Sequence, residues 1–359
     1  MSQHESLRAL ARDDVARLPR YATDSTPCAI DLSDNTNLWG SPPAALEVLT
    51  LARESGVARY PTLYSEPLEP AILDYLGLAD SGVASVTGCG SDDVLDSAMR
   101  AFSRPGASIA FSAPTFSMIP VLARLNCLQP IQVPFTDGFD VDAEQLVDAG
   151  ASVTYLCTPN NPTGSAASRG AVEYVIRHAR GIVILDEAYA EFAPETFQHL
   201  ALENDRLLVA RTLSKAFGLA GLRVGFGVGA PELTNLVSRA RGPYKVTSVA
   251  EAAAAAVLRP GPGARDWVLA HAGLAVANRE RLVAELTRRG VRVLPSAANF
   301  VLAPFPNAGT LVRSFMSRGI LVRLVNGLDG GSSALRIGVG PWDMMQALLD
   351  ALDGIGSCE

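Results

Sequence analysis

The sequence predicts an α/β protein in which a large domain is built on a mainly parallel central sheet and a smaller C-terminal α+β domain follows. Three observations lead there. Between about residues 83 and 230, short and near-continuous β-branched runs alternate with helical patterns, as strands of a parallel sheet buried on both faces do. From about residue 260 that alternation stops and the pattern changes character. The chain has 359 residues, which is more than one small core serves and suits two units of unequal size.

The elements follow in order. A polar N-terminal arm spans 1–34, and residues 42–55 read as a helix with Pro42 or Pro43 in its first turn. VASVT (83–87) reads as a strand, followed by a Gly/Ser turn and the helical DDVLDSAMRAF. ASIAFS (107–112) ends at Pro114, SVTYLC (152–157) at TPNNPTG, and GIVILD (181–186) at an acidic and aromatic cluster. RLLVAR (206–211) ends at TLSK and LRVGFGVG (222–229) at a proline. Ligands of such sheets bind beyond the carboxyl ends of the strands, where nearly every polar cluster of this chain falls. The large domain, 35–260, closes at Pro260-Gly261-Pro262-Gly263. The small one, 261–359, opens on a helix around 265–289, passes through VRVLPSAANFVLAPF to a helix near 308–318, and adds the strands ILVRL and LRIGVG. A closing helix runs from about 342 to 353.

Composition narrows the function. The net charge is -7 and no basic run occurs, which points away from nucleic acid. The charged N-terminus lacks the apolar core of a signal peptide, and no stretch of about 18 apolar residues suits a membrane, so a cytoplasmic location is expected. Cys28, Cys89, Cys127, Cys157 and Cys358 are dispersed without a CxxC pair, and His4, His178, His199 and His271 are as scattered. Reduced thiols are expected rather than a disulfide frame, and no metal site. Of the 30 basic residues only Lys215 and Lys245 are lysines. A bias toward arginine accounts for most of that, but arginine forms no imine with an aldehyde, so amine chemistry has only two places to reside.

TLSKAFGLAGLR (212–223) sets Lys215 beside Thr212 and Ser214, with Arg223 eight residues on. Such a group suits a phosphorylated aldehyde, the amine taking the carbonyl and the hydroxyls and guanidinium the phosphate; an ordinary strand-to-loop junction with an exposed lysine is the alternative. Asp186 ends a strand, where it could keep a pyridine nitrogen protonated or simply cap a helix. Asn161, in TPNNPTG, could bond a cofactor hydroxyl or sit in a plain turn. Gly90, Ser91 and Asp92 open a helix whose free N–H groups could receive a phosphate; a Gly-rich cap reads the same way. Phe116 could stack on a planar ring or fill core. Arg336 heads an apolar strand and could clamp a carboxylate, or lie on the surface.

Gly-Ser-Asp, an aromatic, NNPTG, DEAY, SK and the arginine eight residues later occur here in one order, and that order resembles the class I/II pyridoxal-phosphate aminotransferases of fold type I. Within them the chain is most similar to the histidinol-phosphate aminotransferases, from about residue 31 to 352. The resemblance implies pyridoxal 5'-phosphate as cofactor, a small-molecule amino donor, a 2-oxo acid acceptor and a homodimer. It implies that Lys215 binds the cofactor and shuttles the proton, that Asp186 pairs with the ring nitrogen, and that Asn161 and Tyr189 bond the ring hydroxyl. Phe116 would stack on the ring, and Gly90, Ser91, Asp92, Thr212, Ser214 and Arg223 would surround the phosphate. Tyr60 would reach that phosphate from the neighbouring subunit. Arg336, Arg323, Asn35 and, more loosely, Tyr21 would face substrate, with Arg323 at its phosphate end. The chain departs from the family in reading Asn35-Thr36-Asn37-Leu38-Trp39-Gly40 in place of Asn-Glu-Asn-Pro-Tyr-Gly, and in having Phe116 for a tyrosine. Alternatives within the fold are an aminotransferase for an aromatic or specialised-metabolism amino acid and an enzyme like threonine-phosphate decarboxylase. A non-enzymatic module binding the cofactor is disfavoured by the presence of Asp186, Lys215 and Arg223 together.

Overall fold

The computed structural model describes residues 7, 9–20, 26–55, 57–328 and 332–356. Its strands begin with β1 (Ile30–Asp31), β2 (Ala84–Cys89), β3 (Ser108–Ala113), β4 (Gln129–Pro134), β5 (Val153–Cys157) and β6 (Ile182–Asp186). They continue with β7 (Leu207–Thr212), β8 (Val224–Gly229), β9 (Phe300–Pro304), β10 (Ile320–Leu321), β11 (Arg323–Leu328) and β12 (Ser332–Gly338). Among the described residues seven strands form one sheet, ordered β2-β8-β7-β6-β5-β3-β4.

Every residue of β5, β6, β7 and β8 is buried, as their unbroken apolar runs require. The period of two sorts them onto two cores. Val183, Leu185 and Val209 join one, while Ile182, Ile184, Leu208 and Ala210 join the other. Helices close both faces. Gly90–Phe102 buries Val94, Leu95, Ala98 and Met99 along one stripe. Thr247 accepts the Ala250 N–H at 3.2 Å and so starts helix Ser248–Leu258.

Two features of this sheet differ from the sequence reading. Strand β8 runs antiparallel to both β7 and β2, whereas the other pairings are parallel. The reason is length: β7 ends at Thr212 and β8 begins at Val224, too few residues between them for a crossover helix. The second is β4, QPIQVP, which the apolar pattern does not mark. Among the described residues it pairs only with β3, at the sheet edge, where Pro130 and Pro134 are tolerated because no further described strand needs their missing N–H groups.

The C-terminal residues build an antiparallel sheet, β11-β12-β9, covered by helices Ala308–Met316 and Trp342–Gly356. Strand β1 pairs with β10, and Leu32 packs into the same core, so this part of the N-terminal arm completes a C-terminal layer. Helix Arg265–Arg288 serves both cores. Its Val268, Ala272 and Ala275 pack against the large sheet's core, and its Leu282 and Leu286 against the small one. No helix among the described residues is long and apolar enough to cross a membrane.

Candidate active site

The polar clusters converge where β5, β6 and β7 end and the reversed β8 begins. Two cavities share Phe116, Asn161, Tyr189 and Lys215 as walls. The inner one, about 160 Å³, adds Ser91, Asp92, Asp186, Thr212, Ser214 and Arg223. The outer one, about 840 Å³, adds Asn35, Arg323 and Arg336.

Asp186 closes β6 and is buried. Its Oδ1 accepts the Ala188 N–H at 3.0 Å and its Oδ2 the Tyr155 hydroxyl at 2.8 Å. Burial pushes the carboxyl up to about 6, against the pull of those two donors. Lys215 lies in the β7–β8 connection, which is tied at its base by Leu213 N–H to the Val224 carbonyl, 3.0 Å. Half-buried, its Nζ donates to the Asp34 carbonyl at 3.0 Å. Burial, and then the charge of Arg336, lower this amine to about 8. It is therefore far closer to a neutral nucleophile than an ordinary lysine.

Arg223 precedes β8, and the reversal of that strand brings it beside Ser214, whose Oγ accepts from Nη1 at 3.3 Å. Its Nη2 lies 3.6 Å from Asp92, whose carboxyl burial holds above the usual range. Gly90 starts the facing helix at φ +75°, and a Cβ there would press against Arg223 Nη2. The helix carries no side-chain cap at this end. The Gly90 N–H donates to the Arg223 carbonyl at 3.0 Å, so the N–H groups of the turn that follows, the helix dipole and a guanidinium meet at one point, an arrangement built for an anion.

On the outer side Asn35, at φ +58°, donates from Nδ2 to the Tyr189 hydroxyl at 3.1 Å. Asn299 fixes its backbone by donating to the Asn35 carbonyl at 3.0 Å. Arg336 donates to Asn161 Oδ1 at 2.7 Å and to the Ser33 carbonyl. Arg323 is its cross-strand partner, and both line the outer cavity.

The structure therefore gathers Asn35, Gly90, Ser91, Asp92, Phe116, Asn161, Asp186, Tyr189, Thr212, Ser214, Lys215, Arg223, Arg323 and Arg336 around one cleft. Tyr60 is not among them: it is 84% exposed, packs on Tyr244 at 5.0 Å between centroids, and lines a separate cavity with Arg59 and Ser248. Tyr21 lies outside the described residues. Two of the altered residues in the 35–40 segment turn away from the cleft, with Leu38 against Gly340 and Trp39 edge-on to His271. Sequence reasoning missed Tyr155 and Asn160. Asn160 holds the Asn161 loop, its Nδ2 donating to the Pro114 carbonyl and its Oδ1 accepting from Thr115. The signal for Tyr155 was available, since a phenol hydroxyl in a strand buried along its whole length needs a buried partner.

A family model described as aminotransferase class I and II matches residues 28–352. The chain belongs to the class I and II aminotransferases. It is 36% identical to a histidinol-phosphate aminotransferase of Roseiflexus castenholzii, over 97% of this chain and 98% of that one. To that of Thermoanaerobacter pseudethanolicus it is 31% identical, over 96% and 97% respectively. Among solved structures, the histidinol-phosphate aminotransferase of Sinorhizobium meliloti in complex with pyridoxal-5'-phosphate superposes with a TM-score of 0.86. That match covers 97% of this chain and 98% of that one at 24% identity. The aspartate aminotransferase of Thermus thermophilus with maleate gives 0.76 at 18% identity, covering 91% of each. The last two are likenesses of fold.

Aminotransferases of this family use pyridoxal phosphate, and the donor set of the inner cavity fits it. The cavity offers one amine of lowered pKa, a buried carboxyl at the end of a strand, an aromatic wall, and an anion site that opens on a glycine at positive φ beside an arginine.

Proposed function

We propose that this aminotransferase exchanges an amino group between histidinol phosphate and 2-oxoglutarate. One observation carries the substrate: Arg323 and Arg336 are cross-strand partners lining the cavity that Lys215 also lines. Two guanidiniums lining one cavity suit substrates that carry an anionic group beside the reacting carbon, the phosphate of histidinol phosphate, which has no carboxylate, and a carboxylate of glutamate or 2-oxoglutarate. The turning away of Leu38 and Trp39 from the cleft supports the same reading, because those departures leave its walls unchanged. An aminotransferase for an aromatic amino acid is favoured only by Phe116, which replaces a hydroxyl by an apolar edge.

When bound, pyridoxal phosphate supplies an aldehyde that carries the amino group and a ring that takes up electrons from the substrate carbon. The chain's residues supply the rest. Lys215 Nζ would hold the cofactor through its aldehyde carbon and, when free, would move the proton at the substrate's α-carbon. Asp186 would hold a proton on the ring nitrogen. Tyr189 and Asn161 would bond the ring hydroxyl, and Phe116 would cover a ring face. Gly90, Ser91, Asp92, Thr212, Ser214 and Arg223 would hold the phosphate. Arg336 orients the carboxylate or its counterpart, with Asn35 steadying Tyr189.

The reading includes a homodimer in which Tyr60 reaches the partner's phosphate site. Its exposure, and the exposed Leu46, Leu49, Leu51, Val57 and Leu63 on nearby segments, support a covered face there. The cofactor-binding unit spans 35–260 and the smaller one 261–359, with 1–34 as an arm, and the enzyme acts in the cytoplasm. The test is a titration of the cofactor-loaded protein, followed by visible absorbance, with histidinol phosphate, glutamate and aromatic amino acids. Conversion by histidinol phosphate and glutamate at low concentration is the expected result. Conversion by aromatic amino acids alone would discard the substrate, and release of carbon dioxide would replace transamination by decarboxylation.

A further inference from the structure

We infer that Tyr155 is a positioning residue for the cofactor, its phenol holding the Asp186 carboxylate aimed at the ring nitrogen. The inference deepens the proposed reading and rests on it.

Tyr155 lies in the middle of β5, is 1% exposed, and does not line the inner cavity. In the parallel register it stands opposite Ile184, and Cys157, two residues on, stands opposite Asp186. Residues two apart point to the same face, so Tyr155, Cys157, Ile184 and Asp186 share one side of the sheet. The phenol can then run along that face to the strand end, where its O–H meets Asp186 Oδ2 at 2.8 Å. With the Ala188 N–H on Oδ1 at 3.0 Å, each carboxylate oxygen has one fixed donor. That fixes the carboxylate plane and leaves the remaining lone pairs for the cavity that Asp186 lines.

Chemistry gives the pair its direction. A carboxylate that keeps a pyridine nitrogen protonated must itself stay ionised, yet this one is buried. A hydrogen bond to the charged form opposes the cost of burial. Burial also holds the Tyr155 phenol well above its ordinary range, so it remains a donor throughout the working pH. The neighbouring Cys157 thiol is raised by the same cause and stays neutral, adding no charge. No other side chain among the described residues is recorded as donating to Asp186.

The experiment is the affinity of the cofactor-free protein for pyridoxal phosphate between pH 5 and 9, in wild type and in Tyr155→Phe, with inorganic phosphate measured alongside. In the variant the affinity at pH 7 should fall by roughly tenfold or more. The acid limb of its profile should move up by about one pH unit, as Asp186 protonates more readily. Inorganic phosphate should bind both proteins equally. In an Asp186→Asn background the Tyr155→Phe change should add nothing, because the two residues act as one unit. An acid limb that stays in place, or additive losses in the double variant, would overturn the inference. Should the phenylalanine variant fold poorly, 3-fluorotyrosine at position 155 preserves the shape and strengthens the donor. It should then move the acid limb downward, and an unmoved limb would again overturn the inference. Wild-type protein that takes no pyridoxal phosphate at any pH would instead overturn the reading of the whole site.

Discussion

Arg323 and Arg336 stand directly opposite each other on β11 and β12, and both line the cavity beside Lys215. Like charges in that relationship destabilise an antiparallel pair. Such a pairing is tolerable where an anion comes between or beside the two, and the proposed substrates bring one.

Arg323→Ala should therefore separate binding from folding. The kcat/KM for histidinol phosphate should fall roughly 10- to 100-fold as a charged contact is lost. The thermal stability of the free protein should hold or rise. Steady-state kinetics and a melting curve test both halves, and a lowered Tm with unchanged KM would mean that Arg323 is structural.

The two perturbed groups set a pH dependence for cofactor capture. Asp186 is raised to about 6, so it is ionised above that pH and increasingly protonated below it. Lys215 is lowered to about 8, so its neutral form, the one that attacks an aldehyde, is dominant above 8 rather than above the ordinary 10.5. The rate of pyridoxal phosphate capture by the cofactor-free protein should rise through pH 6 and again through pH 8, then level off. A rate still climbing tenfold per unit between pH 9 and 10 would show an unperturbed amine.

Asp186→Ala should lower kcat by orders of magnitude while cofactor retention falls far less, since the phosphate contacts remain. Equal turnover in that variant would mean that another group protonates the ring. Lys215→Ala should abolish turnover altogether.

Gly90→Ala tests the anion site. Alanine resists the φ of +75° at this position, and its methyl group would press on the guanidinium end of Arg223. Retention of pyridoxal phosphate on dialysis should drop, and inorganic phosphate should protect the variant less than wild type. Unchanged retention would place the phosphate elsewhere.

Tyr60 offers a test of assembly. Tyr60→Ala and Lys215→Ala proteins, each inactive or nearly so, should recover part of the wild-type activity when mixed under subunit exchange. A mixed dimer holds one intact site only if Tyr60 acts across the interface. No recovery, with exchange verified by mass, would confine Tyr60 to its own subunit.

Much of the sheet was legible because its strands are buried on both faces and their apolar runs are uninterrupted, as in GIVILD and RLLVAR. Strand β4 was not, because an edge strand can carry two prolines and alternate polar residues without penalty. Lys215, Asp186 and Arg223 were legible as residue types at strand ends, whereas Tyr155 lies inside a buried strand, where its hydroxyl signals a partner but only the neighbouring strand shows which one.

The sequence by itself determined the chemistry: one lysine among hydroxyls, a carboxylate ending a strand, and glycine where a helix begins, since each is demanded by the reactivity or local conformation of a single short segment. The tertiary structure decided what those groups do to one another. The short link after Thr212 forces β8 to run backwards and carries Arg223 to the edge where Lys215 and Gly90 already lie. The pairing of β1 with β10 brings the 33–35 segment over that edge, where the Asp34 carbonyl meets Lys215 and Asn35 meets Tyr189. Burial then lowers the amine and raises the carboxyl, and burial belongs to the packed chain rather than to any segment of it.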